Sequence, residues 1–200
     1  MVWLHKKMAA TFYSIPISVR NFLGLALTIA ISWKFIYHVF LMNPRTLDGP
    51  LTNHVGNSAA FLLNQFSGMH QFTALNSIDT SYMEGQIQMS YVSKIVHYNH
   101  KVLHIADGCN GLELMILYAG FIFCFPSSKK RKLFFVLAGL TLIDALNILR
   151  CSCLGFIKEY YHPYFTISHH FIFKAIVYAF IVFLWVQFTK SSKSDTIEYQ

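Results

Sequence analysis

Residues 106–126 read ADGCNGLELMILYAGFIFCFP, in which one cysteine, Cys109, stands between two glycines directly before an apolar run. A run of this composition is typical of a helix surrounded by lipid. The whole chain has the same character, because 54% of its 200 residues are hydrophobic and only 12% are charged. Soluble domains carry about 25% charged residues, so the composition predicts an integral membrane protein.

Apolar runs predict four transmembrane helices. Three runs are long enough to cross a hydrocarbon layer of about 30 Å at about 1.5 Å per residue. The run that follows Cys109 is shorter and requires some thinning of the bilayer. The predicted fold class is an all-α integral membrane protein forming a single membrane domain over residues 1–200, with these spans: 21–42, 109–126, 133–157 and 165–188.

Basic residues predict the orientation of these spans, because basic loops stay on the cytoplasmic side of the cell membrane. Both termini are therefore expected in the cytoplasm, with a polar tail at 189–200 that is disordered from Ser191 onward, and segment 43–108 is expected to face outward. The net charge of +7 is explained by loop anchors and does not indicate nucleic-acid binding. The basic residues that lie on one side in this threading are Lys6, Lys7, Arg20, Lys129, Lys130, Arg131, Lys132, Lys190 and Lys193.

The outward segment contains two predicted elements. Residues 54–68 are apolar but too short to span, which predicts a surface-lying or re-entrant helix. Residues 85–106 alternate in part between polar and apolar side chains and are broken by Tyr98-Asn99-His100. This pattern predicts a small β-hairpin that leads into Asp107-Gly108-Cys109.

Three spans carry a reactive or charged side chain near their predicted outward ends. Cys109 begins the second span, Arg150 lies about 12 Å inward from the end of the third, and His169 and His170 lie about 7 Å below the start of the fourth. Each residue also has a structural interpretation, since a cysteine packs as a small hydrophobic residue and arginine and histidine are common at membrane interfaces. Their coincidence in one leaflet favours a functional site.

These side chains match the requirements of cysteine-based acyl transfer. The positive end of a helix dipole stabilises a thiolate at the first residues of the helix, as expected for Cys109. A histidine can hold the proton, and Arg150 can donate hydrogen bonds to the oxyanion of a tetrahedral intermediate.

Lys174 provides a prediction about which histidine takes part. It lies near the bilayer centre, where an ammonium group is expected to face the interior of the bundle and to pair with Glu113 or Asp144. His170 lies one turn above Lys174 on the same helix face. We therefore expect His170, rather than His169, to reach the reactive thiol.

The sequence resembles the exosortase/archaeosortase family of integral-membrane cysteine transpeptidases. The resemblance is carried by CNG within residues 107–111, by NILR at 147–150 and by SHH at 168–170, and it covers roughly residues 85–188. It implies a compact, stand-alone enzyme whose catalytic residues are Cys109, Arg150 and one histidine of the 169–170 doublet.

The resemblance also implies the substrates and partners. These are exported proteins that end in a short motif, one transmembrane helix and a basic cluster. Such a tail is cleaved on the outer face of the membrane through an acyl-enzyme, and the product passes to a surface polymer or lipid acceptor. No cofactor or metal is expected for this reaction.

Two other functions remain open from the sequence. The four cysteines could belong to a membrane thiol-disulfide oxidoreductase, in which Cys151-Ser152-Cys153 pairs with Cys109. Against this, the chain has no C-x-x-C motif, and Cys124 is predicted on the cytoplasmic side. Alternatively, the chain could be a non-catalytic membrane subunit in which Arg150 and the histidines only join helices.

Overall fold

The computed structural model describes residues 16–66, 70–83 and 86–197, so Lys6, Lys7 and residues 198–200 lie outside the described part. The described chain is mostly helical and contains one small antiparallel sheet. In chain order the elements are α1 (Ile17–Ile36), a π-helical turn (Tyr37–Leu41), α2 (Asp48–Phe66), β1 (Phe72–Met83), β2 (Gln86–His97), β3 (His100–Ala106), a 3-10 turn (Asp107–Cys109), α3 (Leu112–Cys124), α4 (Lys129–Tyr160), a 3-10 turn (His162–Tyr164), α5 (Phe165–Ile167), a π-helical turn (Ser168–Ile172) and α6 (Phe173–Ile197).

Three helical segments of the described chain are long and apolar enough to cross a membrane: Val19–Leu41, Lys129–Tyr160 and His162–Ser191. This confirms the membrane class and three of the expected long helices. Helix α3 has 13 residues and extends only about 20 Å at 1.5 Å per residue, so a fourth span remains a prediction. Helix α6 continues past Ser191 to Ile197, and the expected disorder is wrong for that part of the tail.

Helices α3, α4 and α6 form one hydrophobic cluster, which we call the bundle core. Tyr118 of α3 is fully buried in it and donates a hydrogen bond to the backbone oxygen of Phe135 at 2.8 Å. Gly139 of α4 lies directly against the Tyr118 ring, where any larger residue would overlap the ring. The buried members are Tyr118, Ile122, Val136, Ile143, Val177, Ile181, Leu184 and Phe188.

The sheet has the order β1-β2-β3 and is antiparallel throughout. The predicted hairpin corresponds to β2 and β3, which are joined by Tyr98 and Asn99. Both turn residues have positive φ angles, 44° and 67°, as the tightest hairpin turns require. Strand β1, which pairs with β2 along its whole length, was not predicted from the sequence.

Helix α2 packs between the sheet and α4 and builds a second hydrophobic cluster, the sheet core. Its Gly56 lies so close to Ser93 of β2 that a side chain would collide with it. One face of α2 is therefore covered by protein, while His54, Asn57 and Phe61 on the other face are exposed. The expected surface-lying or re-entrant placement of residues 54–68 in the membrane stays a prediction. The buried members of the sheet core are Val55, Ala59, Ala60, Leu63, Phe72, Ile95, Val102, Leu103, Ile105, Cys151 and Leu154.

Helix α4 runs through both cores. Ile143 belongs to the bundle core, while Cys151 and Leu154, further along the same helix, belong to the sheet core. The chain passes from β3 into α3 beside this helix. The turn that contains Cys109 consequently lies where the two cores meet.

Candidate active site

Cys109 ends the 3-10 turn that connects β3 to α3, and its side chain is half-buried against the sheet core. Helix α3 begins only at Leu112, after Gly111 with φ of 90°. The first N–H of the helix, that of Leu112, donates to the Asn110 side chain at 2.9 Å. Cys109 thus precedes the helix instead of forming its first turn, which corrects the expected placement and weakens the argument from the helix dipole.

Asp107, two residues before the cysteine, is held by side chains from the segment before and within α2. Arg45 donates to both carboxylate oxygens, at 2.8 Å and 2.6 Å, and Thr52 donates to one of them at 2.8 Å. This bonding to Asp107 raises the pKa of Arg45 above its ordinary value. The Arg45 guanidinium also lies 4.3 Å from the centre of the Tyr91 ring.

Asn110, the residue after the cysteine, is fully buried and is also held by side chains of α2. Its amide donates to Asp48 at 2.9 Å and to Thr52 at 3.3 Å, and Tyr37 donates to the other oxygen of Asp48 at 2.8 Å. Asp107 and Asn110, which flank Gly108 and Cys109 in the DGCNG motif, are therefore fixed by hydrogen bonds to residues about sixty positions earlier in the chain. The roles of Arg45, Asp48 and Thr52 were not predicted from the sequence, where their only signal is their polarity in a chain with few charged residues.

Helix α4 holds the cysteine from the other side. The side-chain amide of Asn147 donates to the backbone oxygen of Cys109 at 3.2 Å. Arg150 lies three residues later on α4 and is half-buried, so it shares a helix face with Asn147. The structure thereby brings Cys109 and Arg150 to the same junction.

The two candidate histidines lie in the π-helical turn Ser168–Ile172 and differ in exposure. His169 is half-buried, stacks on Phe165 with ring centres 5.7 Å apart, and lies within electrostatic range of Arg150. His170 is exposed. Phe165 packs against the same sheet core as Cys109, which places the His169 side of this helix towards the cysteine.

The expectation for Lys174 is wrong. Glu113 pairs with Lys34 at 3.5 Å and Asp144 pairs with His54 at 2.9 Å. Lys174 is exposed and has no ion pair within the described residues. A π-helical turn contains about one residue more than an α-helical turn, so the residues before it are rotated relative to those after it. The helix face on which Lys174 lies therefore does not identify the histidine that points inward.

All four cysteines are free thiols. Cys151 is only 2% exposed and lies within electrostatic range of Cys109. Cys153 is half-buried beside an apolar groove of α4, and Cys124 is buried at the end of α3. Of the four, Cys109 alone lies in a turn and not within a helix.

Three different segments supply a thiol, an imidazole and a guanidinium around this junction. Within the described residues no hydrogen bond directly joins Cys109, Arg150, His169 or His170 to one another. Such bonds often form only when the substrate is bound. The chemistry that these groups can perform together is nucleophilic attack by the thiol on a carbonyl carbon.

The chain matches a known protein family along most of its length. Residues 6–186 match a family model described as Transmembrane exosortase. No curated protein and no solved structure is significantly similar to the chain. The matched region includes every element that builds the junction around Cys109.

Proposed function

Because this chain belongs to the transmembrane exosortase family, whose membership implies a sorting-related transpeptidase function, we propose that it is a cysteine transpeptidase. It cleaves the membrane-anchored sorting signal at the C-terminus of exported proteins. The nucleophile is Cys109, and the site faces the outer side of the cell membrane.

The observation that carries this proposal is the fixation of the turn around Cys109. Asp107 and Asn110 are bonded on both sides of the cysteine to residues before and within α2, and Asn147 holds the backbone oxygen of the cysteine itself. A buried structural cysteine needs no such support, because apolar packing alone holds it. A nucleophile does, since small errors in its position cost rate.

In the first step, the Cys109 sulfur attacks the carbonyl carbon of the scissile peptide bond. His169 takes the thiol proton, and the Arg150 guanidinium donates hydrogen bonds to the oxyanion that forms. His169 then gives the proton to the leaving amine as the C–N bond breaks. The products are a thioester on Cys109 and the released C-terminal tail.

In the second step, a nucleophile attacks the thioester. His169 removes a proton from a hydroxyl or amine acceptor, or from water, and the sulfur leaves as the thiolate, which regains a proton. We assign this role to His169 because it is half-buried within range of Arg150, whereas His170 is exposed. The acceptor is a surface polymer or lipid when transfer occurs, and water when hydrolysis occurs.

The position of the site between the two cores suits a substrate that is itself anchored by a helix. A cleavage motif that lies just outside a transmembrane helix is held at the depth where the bundle core ends. The apolar faces of α1, α4 and α6 that are exposed in the chain are suited to contact with lipid or with such a helix. We therefore propose that the partners are exported proteins with a motif, a helix and a basic tail.

The test compares two cysteine variants in cells that make a tailed substrate. Cys109→Ser is expected to lower processing by about 10³-fold or more, as removal of a catalytic nucleophile does. Cys153→Ser is the matched control, because this cysteine is also half-buried and lies on α4 near Arg150, and it should process normally. Normal processing by the Cys109 variant at equal membrane levels would refute the proposal.

A thiol-disulfide function is the second candidate, because Cys151 lies within electrostatic range of Cys109. It requires a reversible disulfide between these two residues, whereas the transpeptidase requires a free Cys109. Counting the free thiols after oxidation and after reduction separates the two functions. A transpeptidase gives the same count in both conditions.

A further inference from the structure

Two histidines and a glutamate meet at the far end of the sheet, away from the cysteine. His97 ends β2 and His100 begins β3, so they face each other across the two-residue turn. Glu159 is the penultimate residue of α4. One ring nitrogen of each histidine and a carboxylate oxygen of Glu159 all lie within 4.8 Å of one another.

The three side chains point at a common place. Nδ1 of His97 lies 2.9 Å from Oε1 of Glu159, and Nε2 of His100 lies 2.9 Å from the same oxygen and 3.0 Å from Oε2. Donor atoms bound to one Zn²⁺ ion at about 2.0–2.2 Å are separated from each other by distances of this order. The separations between Glu159 and each histidine therefore suit a shared ion, and the two histidine nitrogens lie within 4.8 Å of each other.

Two of the three side chains are largely buried and therefore already held in position without an ion. The His97 side chain is 7% exposed, and its ring stacks on Phe72 at 4.1 Å with an angle of 6° between the planes. Glu159 is 15% exposed, whereas His100 is 56% exposed and leaves the place open to solvent. A fixed pair of ligands with one accessible side is typical of a site that keeps an open coordination position.

We propose that His97, His100 and Glu159 bind a divalent transition-metal ion, with Zn²⁺ as the ion that this N,N,O ligand set fits best. The ion joins the β2–β3 turn to the C-terminal end of α4. Strand β3 leads into the turn that contains Cys109, and α4 carries Arg150. The ion therefore fastens the two elements that position these residues. This inference does not depend on the proposed transpeptidase function.

The expected affinity is moderate. Metal-bound histidines usually donate their second ring nitrogen to an acceptor, which strengthens binding about 10- to 100-fold. Nε2 of His97 is buried and has no hydrogen-bond partner among the described residues. We therefore expect a micromolar rather than a nanomolar dissociation constant.

The experiment measures zinc binding directly. The untagged full chain is purified in detergent, stripped of metal with a chelator, and titrated with Zn²⁺ in competition with a fluorescent zinc indicator. Wild type is compared with His100→Ala, Glu159→Gln and His162→Ala. His162 is the matched control, because it is an exposed histidine at the same end of α4 whose contact is with Lys158.

Wild type and His162→Ala are expected to bind one Zn²⁺ per chain and to unfold at a higher temperature when zinc is present. His100→Ala and Glu159→Gln should weaken binding at least about tenfold and lose the thermal shift, while unfolding cooperatively without zinc like the wild type. His100 is exposed, so its substitution leaves the fold intact. The proposal would be overturned if wild type bound no zinc at submillimolar concentration, or if wild type and His100→Ala bound zinc equally. His97, His100 and Glu159 would then form only a hydrogen-bonded cluster.

Discussion

The position of Cys109 depends on two residues close to it in the sequence, Asp107 and Asn110. Both carboxylate oxygens of Asp107 accept hydrogen bonds from Arg45, and the side-chain amide of Asn110 donates to Asp48 and Thr52. Bonds to charged groups in partly buried places are the stronger kind of hydrogen bond. The cysteine thus stands between two anchored residues, which keeps the sulfur in place without a direct bond to it.

The two histidines make opposite predictions at the residue scale. His169→Ala should reduce tail release by about 10²- to 10⁴-fold, as loss of a general acid–base group does. His170→Ala should retain activity within a few-fold, because its ring is exposed outside the junction. The measurement is the rate of substrate processing at equal membrane levels.

The reverse result has a defined meaning. A dead His170 variant beside an active His169 variant would show that the exposed ring rotates inward when the substrate binds. In that case the sequence-based expectation for His170 would hold, although the reason given for it, an inward-facing Lys174, is wrong.

At the residue scale, the sequence indicates which side chains can react but not which side chains hold them in place. Cysteine, arginine and histidine near the ends of apolar runs predict that Cys109, Arg150 and the histidine doublet lie in one layer. Arg45 and Asp48 could not be predicted, because their contacts with the cysteine turn join residues that are 62 positions apart. Nothing local in the sequence fixes contacts of that separation.

Helix α4 is the element that organises the molecule. Its 32 residues extend about 48 Å at 1.5 Å per residue, which exceeds a hydrocarbon thickness of about 30 Å. The additional length is used in the sheet core, where Ser152 donates to the backbone oxygen of Ala59 and Gly155 packs against Leu63. Arg150 therefore lies between a segment of the bundle and a segment of the sheet core.

The crossing of α3 and α4 gives an element-scale prediction. Gly139→Ala would place a methyl group into the Tyr118 ring, and we expect a loss of about 1–3 kcal/mol in stability, as overpacking of a core causes. The matched control is Gly24→Ala in α1, which has no neighbour within 4 Å and gains helix propensity. Thermal unfolding in detergent measures both variants. An unchanged midpoint for Gly139→Ala would contradict this packing of the two helices.

Two elements could not be predicted from the sequence, and the reasons are physical. Strand β1 has Leu75 and Ile78 exposed and mainly Phe72 buried, so it lacks the clean alternation of a half-buried strand. It is recognised only through its backbone pairing with β2. The π-helical turn at 168–172 likewise depends on packing and has no local signal.

At the scale of the whole molecule, the described residues form two hydrophobic cores joined by one helix, with the candidate site at their junction. The bundle core joins α4 and α6, which have the length and composition of membrane spans, to the shorter apolar helix α3. The sheet core joins the sheet to α2 and the end of α4. The lengths of the apolar runs were sufficient to predict the helical region that contains the bundle core. The hairpin pattern predicted only strands β2 and β3 of the sheet core. The proposed reaction on a membrane-anchored tail would take place at this junction.

The most direct test is to identify the covalent intermediate. The full chain and a tailed substrate are mixed in detergent, quenched in acid after a short time, digested, and analysed by mass spectrometry for thioesters that hydroxylamine removes. We expect the N-terminal part of the substrate to be linked to the peptide containing Cys109, and no adduct in Cys109→Ser. A thioester on Cys153 or Cys151, or cleavage by the Cys109→Ser variant with no thioester at all, would contradict the assignment of Cys109 as the nucleophile.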